Sequence, residues 1–394
     1  MNESGANEPV RILASEAGVR AIRRDLTRRR FLSIAAIAGS AAAIAACSPG
    51  GSTEGKQATG GDLEKSLSIY TWGEYDSLDV VANFTKELGP KVTLDSYGSN
   101  EELIAKLVAA KGTSGYDIVV PTGPYLPQMI ENGLLMKFNK DLIPNMKNLD
   151  PAFMGRDWDP NNDYSVPKAW GTTGFVYDTT VIKRDLKTWS DFIDAAKNEA
   201  SGKTMILDDP AGLACLYFHA NGIDWNTTDE AELEDFRTFA VEELAPHITA
   251  FDSYPSTAIT QGSLVLGMAW NGEARLGLQE AKDPDRYKWV LGAPQTELWM
   301  DNMAIADGAP NPEAAHAYIN YTLSESGLID QLDYIGYHTG GAGIEEEAKA
   351  RGVEMADLIF FDEEQVATMN TQEINESQQK RTDIFNEMKA AAGA

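Results

Sequence analysis

From residue 66 the chain alternates between two periodicities, and this alternation restricts its folds more than any other feature. "LSIYTW" reads as a strand, and "DSLDVVANFTKELG" as a helix capped by Asp76 or Ser77. That helix places Leu78, Val81, Phe84 and Leu88 on one face and stops at Gly89-Pro90. "KVTLDSYG" is a second strand. "SNEELIAKLVAAKG" is a second helix, with Ser99 and Glu102 in capping-box spacing, and "YDIVVPTG" is a third, continuously apolar strand. Strand, helix, strand, helix, strand implies a parallel sheet with crossover helices. Loops at the carboxyl ends of such strands are where open α/β sheets bind ligands. Trp72, Glu74 and Tyr75 follow the first strand, and Thr122 and Tyr125 the third.

The alternation resumes downstream. "KTMILDDP" reads as strand and acidic loop, "AGLACLYFHANG" as helix and "GSLVLGMAW" as strand, while "LWMDNMAIADGAPNPEAAHAYINYTLS" gives a further strand, turn and helix. At 394 residues, 43% of them apolar, the chain exceeds one ordinary core, and two lobes are expected.

The amino-terminal segment has a separate logic. "TRRRFLSIAAIAGSAAAIAAC" sets Arg28, Arg29 and Arg30 before an Ala/Ile-rich run ending at Cys47. It resembles a twin-arginine export signal, with "IAAC" as a lipobox at which the signal is cleaved and Cys47 lipidated. The run from Phe31 to Ala46 has 16 residues, short of the roughly 20 that a membrane span requires. Residues 1–46 are therefore expected to be a signal peptide, and 47–65 a flexible Gly/Ser/Thr tether. No second apolar span follows. Cleavage leaves 26 basic against 56 acidic residues and Cys215 as the sole free thiol.

The formal charge of −27 argues against nucleic acid, which needs clustered Lys and Arg. The four histidines, at 219, 247, 316 and 338, are scattered, and neither HExxH nor CxxC occurs, which disfavours zinc. G-x-S-x-G and phosphate-binding glycine loops are absent. Asp208-Asp209 reads either as a glycosidase pair or as a helix cap. Tyr334 and Tyr337 suit a ferric-ion binder more distantly. No cofactor is expected, and an enzyme is not the leading reading.

What recurs is an aromatic ring beside a carboxylate: Trp72 with Glu74, Trp270 with Glu273, and Trp299 with Asp301. A flexible cation with methylene spacers needs this combination of apolar walls, π-faces for its nitrogens and carboxylates for its terminal ammoniums. A sugar site also uses Trp and Asp.

In "IYTWGEY", "YDIVVPT", "DPNNDYSVPKAWGTTG", "LGMAWNGEA", "WMDNMAI" and "IGYHT" the chain resembles the spermidine/putrescine-binding proteins of bacterial polyamine ABC importers, over roughly residues 66–390. The resemblance implies a type II periplasmic-binding-protein-like fold. Two α/β lobes, each a mainly parallel sheet flanked by helices, would hinge over a ligand, with residues 66–172 and 301–337 in one and 173–300 and 338–394 in the other. It implies that Trp72, Tyr75, Trp270 and Trp299 wall the polyamine and that Glu74, Asp209 and Asp301 engage its amines. Tyr337, Thr122 and Gln372 match further family positions, and Glu273 falls where putrescine-type members carry Asp. Gly212 and Pro124 replace an acid and a tyrosine of spermidine-type members, which favours a diamine. The expected function is a monomeric, non-enzymatic receptor, lipid-anchored through Cys47 to the outer face of the cytoplasmic membrane or periplasmic, that delivers a polyamine to a permease. A receptor for a sugar or amino acid and an exported hydrolase using Asp208 and Asp209 are the alternatives.

Overall fold

The computed structural model describes residues 57–110 and 114–393. The expected signal peptide, Cys47 and the start of the tether lie outside them. The described strands are β1 (Ser66–Trp72), β2 (Lys91–Tyr97), β3 (Ile118–Val119), β4 (Leu135–Met136), β5 (Ser165–Asp178), β6 (Thr204–Leu207), β7 (Ile248–Asp252), β8 (Leu266–Trp270), β9 (Tyr287–Leu291), β10 (Thr296–Ala306) and β11 (Met369–Asn370). They join in the order β2-β1-β3-β10-β5-β8-β6-β7, with β4 and β11 on β10 and β9 on β5.

The βαβαβ unit forms as read: β1 pairs parallel with β2 and β3. Further along, β6 lies parallel between β7 and β8. The long strands β5 and β10 are antiparallel to each other, and β10 is antiparallel to β3. All 14 residues of β5 are buried. Its first half, through Thr172, pairs with β10, and from Thr173 onward it pairs with β8 and β9.

Two large cores sit on either side of this strand pair. One includes Ile69, Phe84, Val166, Ile305 and Tyr318, the other Phe175, Trp189, Leu216 and Phe236. Of the stretch expected in the second lobe after residue 337, Ile344, Ala348 and Ile359 pack in the first core, and Ile384, Phe385 and Met388 in the second.

Local departures from the sequence reading have simple causes. Helix Leu78–Leu88 is capped by Ser77 and ends at Gly89, but it buries Val80 and Phe84, whereas Leu78 and Leu88 are 63% and 44% exposed. Phe84 packs edge-on against Tyr318, and the terminal leucines extend past that contact. In helix Asn100–Ala109, Ser99 accepts from the Glu102 N–H, yet the Glu102 carboxylate takes the N–H of Gly98 rather than that of the cap. The third strand is only Ile118–Val119, because Pro121 lacks an N–H and the chain turns into a 3-10 helix at Gly123.

Candidate functional site

The site is organised by one face of β10. Side chains alternate along a strand, so Glu297, Trp299 and Asp301 share a face. A register shift between Asp301 and Asn302 ends this regular run. At its far end Asp301 is 6% exposed and accepts a 2.7 Å hydrogen bond from the Thr122 hydroxyl. Thr122 is held in turn by Asn100, whose amide nitrogen donates to the hydroxyl and whose oxygen accepts from the Thr122 N–H, both at 2.9 Å. The second crossover helix, Asn100–Ala109, thus positions the residue that orients Asp301. Burial pushes the Asp301 carboxyl up to about 7, against the Thr122 hydrogen bond that favours its charged form.

Aromatic rings wall this carboxylate. Tyr337 lies 4.8 Å from Trp299 in an edge-on contact and 5.9 Å from Tyr75. Trp72 packs on Tyr97 at 4.7 Å and donates its indole N–H to the Val120 carbonyl. Half-buried Trp270 touches both main cores. Two glycines make this packing feasible. A Cβ on Gly171 would stand 2.5 Å from the Trp299 ring, and one on Gly272 would stand 2.5 Å from the Tyr337 ring. The Tyr75 hydroxyl faces the Asp301 carboxylate and helps to hold it charged, whereas the Trp299 indole N–H has no hydrogen-bond partner among the described residues.

Two further acidic groups flank the rings. Glu74, in the left-handed backbone region at φ 55°, is exposed beside the cleft. Glu273, in the first turn of helix Asn271–Glu280, accepts from the Ser256 N–H at 3.3 Å. Burial raises its pKa, and the Glu74 charge adds to this. Tyr254, which the sequence reading missed, faces both: after burial, the charges of Glu74 and then Glu273 raise its hydroxyl.

On the other side Asp209 caps helix Pro210–Asn221 by accepting from the Ala211 and Gly212 N–H groups at 3.1 and 3.2 Å. Burial nevertheless pushes it up to about 6. Its neighbour Asp208 is bound to Lys389 at 2.6 Å, so the two aspartates are a cap and a surface ion pair rather than a free dyad. Gln372 is buried and donates to Gln378, which donates to the Tyr125 hydroxyl, which donates to Glu101.

Sequence reasoning also missed Glu297. It is 6% exposed and accepts from the Thr173 hydroxyl at 2.6 Å. Burial, then the Asp209 charge, pushes it up to about 8. The signal was present in "ELWMD", where acid, ring and acid stand two residues apart. Among the described residues no Lys, Arg or His forms an ion pair with Asp209, Glu273, Glu297 or Asp301. The arrangement is a set of aromatic-walled acids to which no cation among the described residues is ion-paired, Lys168 acting on Asp301 only from a distance.

Residues 79–356 match the bacterial extracellular solute-binding protein family. The spermidine/putrescine-binding periplasmic protein of Salmonella typhimurium is 35% identical over 275 residues, covering 70% of this chain and 77% of that protein. The protein of the same name from Escherichia coli is 34% identical over 286 residues, covering 72% and 80%. A solved structure of the spermidine/putrescine ABC transporter substrate-binding protein PotD from Streptococcus pneumoniae superposes with a TM-score of 0.69 at 26% identity, covering 84% of this chain and 100% of that one. The two-lobe α/β fold expected from the sequence is the fold of these proteins, which are exported and bind solutes rather than transform them. With a family match over more than half its length, this chain belongs to the bacterial extracellular solute-binding proteins.

Proposed function

We propose that this protein is the extracytoplasmic receptor of an ABC importer for polyamines, acting as a monomer and held at the membrane by lipid on Cys47. The observation that carries the reading is Asp301, a buried carboxylate fixed by Thr122, near the rings of Tyr75, Trp299 and Tyr337 and without an ion-pair partner among the described residues. An isolated buried carboxylate is costly. An ammonium group brought in by a ligand removes that cost, and the rings stabilise it through their negative faces. The names of the curated relatives point to the same ligand class. The lobes would meet where β5 and β10 cross, and a ligand touching both stabilises the closed state by its differential affinity.

The test is calorimetric titration of putrescine and spermidine into the wild type and Asp301→Asn. Removing the charge is expected to cost on the order of 2–5 kcal/mol of binding. Equal affinity in the variant overturns the assignment. Polyamine binding is also expected to weaken with ionic strength. A salt-independent affinity for a sugar or amino acid, with none for polyamines, keeps the receptor and discards the ligand. For the anchor, Cys47→Ser is expected to move the protein from the membrane fraction to the soluble extracytoplasmic fraction. An unchanged distribution removes lipidation from the proposal.

A further inference from the structure

Away from the cleft, the second core holds buried nitrogens that the proposed function does not use. Arg381, on helix Gln378–Ala392, is 2% exposed. Its Nη2 donates to the Thr227 carbonyl at 3.0 Å, while its Nε and Nη1 have no hydrogen-bond partner among the described residues. Both ring nitrogens of His219 and the indole N–H of Trp225 are also without partners there, and each of these residues is 2% exposed.

These groups share one place in the fold. Phe218 and His219 lie in the last turn of helix Pro210–Asn221, and Trp225 and Thr227 in the turn closed by the Thr227 N–H on the Asp224 carbonyl at 3.0 Å. The His219 and Trp225 rings meet edge-on at 5.5 Å. Arg381 spans helix and turn, its guanidinium carbon 5.5 Å from the centre of the Phe218 ring. Asp224 is the one charged group whose field raises His219 and Arg381, and it is exposed, with its carboxylate accepting from the Asn226 N–H at 2.9 Å. Burial pushes Arg381 down to about 10 and His219 down to about 4, so at neutral pH the guanidinium is charged and the imidazole neutral.

We infer that Arg381, Trp225 and His219 hold a small monovalent anion of halide size inside the second core. The chemistry of the cluster selects this class. A buried guanidinium without a counter-charge is costly, and an anion supplies that charge from outside the chain. Among the unpartnered atoms, Nε and Nη1 of Arg381, Nε1 of Trp225 and one nitrogen of neutral His219 donate, and only the other His219 nitrogen accepts. Water would bring hydrogens of its own that need acceptors, whereas a halide only accepts. Sulfate or phosphate would bury a second negative charge that the single guanidinium leaves unpaired. Occupancy would also steady the wall of the cleft, because Asn226 in the same turn holds the segment that carries Gln372. Asn226 donates to the Thr371 carbonyl at 3.2 Å, accepts from the Glu373 N–H at 2.9 Å and takes the Asn375 amide on its own carbonyl at 2.8 Å.

The experiment pairs thermal unfolding of the wild type and Arg381→Met, with sodium chloride replacing sodium gluconate at constant ionic strength, with crystals of the wild type soaked in bromide. Chloride is expected to raise the wild-type melting temperature by about 3 °C or more and to leave that of Arg381→Met unchanged. An anomalous bromide peak is expected within hydrogen-bond reach of Arg381 and Trp225, a readout that stands even where the variant does not fold. Ordered waters in place of bromide overturn the site. So does a chloride response that survives in Arg381→Met, because the ion then acts elsewhere. A bromide peak with no chloride response in solution is an adventitious ion only, and it overturns the site as well. None of these outcomes depends on which solute the cleft binds.

Discussion

Two sets of buried carboxylates sit in this chain, and only one has been given its own cation. Asp76 meets Lys168 at 2.7 Å, with both side chains under 5% exposed and the ammonium 5.1 Å from the centre of the Tyr75 ring. Glu297 and Asp301 are 6% exposed and Asp209 is partly buried, yet only hydroxyls and backbone N–H groups donate to them. The chemistry of carboxylate, ammonium and π-face is the same in both places. Behind Tyr75 the chain completes it from within, and in front of Tyr75 it leaves the cation out. A buried acid with an internal partner belongs to the fold, whereas on the polyamine reading proposed above the unpaired acids await the ligand's ammonium groups.

The sharpest way to break this contrast is to remove the internal cation. Lys168→Met strands Asp76 in the core and is expected to cost about 3–5 kcal/mol of stability, read by urea unfolding. A loss below about 1 kcal/mol would mean that the buried pair is no more structural than the open acids. Next in size is the pH dependence of binding. The open acids are raised to about 6, 7 and 8, above ordinary carboxylates, so the folded ligand-free protein holds protons that the unfolded chain releases. The part of its stability that these three acids contribute is accordingly full below about pH 4 and is lost as pH rises through these values. Binding runs the other way, because an ammonium needs the charged carboxylates. Affinity for spermidine is expected to rise up to tenfold per pH unit between pH 6 and 8, with protons released on binding. Flat affinity over that range would mean that the acids are already ionised. The smallest effect separates the two sets most directly: Glu297→Gln without ligand is expected to leave the melting temperature unchanged or higher at pH 8, the opposite sign to Lys168→Met.

Much of the framework was legible in the sequence, because it is written in local signals. Ser77 and Ser99 cap where their spacing places them, and β1, β2 and β6 show their apolar runs. The antiparallel course of β5 and β10 is not local: Thr172 pairs with Leu298 across 126 positions, and no periodicity records that. Burial phase was misjudged in helix Leu78–Leu88 for the same reason, since the partner of Phe84 is Tyr318. Within the site, Asp301 and the tryptophans were found through ring and acid recurrence. Glu297 was passed over because its nearest ring, Trp299, had already been assigned to Asp301. Gly171 and Gly272 were invisible because their role is to make room for rings that come from elsewhere in the chain.

The course of β5 has a practical consequence for anyone hoping to dissect this receptor. A protein whose halves are joined by a loop can be cut at the loop and each half expressed separately. Here the junction between Thr172 and Thr173 lies inside a fully buried strand that pairs with β10 before it and with β8 and β9 after it. A fragment ending there exposes a raw sheet edge to its neighbours in the tube, and aggregation is the expected product. The same continuity leaves a protease no slack chain to grip at the crossing, so the molecule survives or fails as one piece.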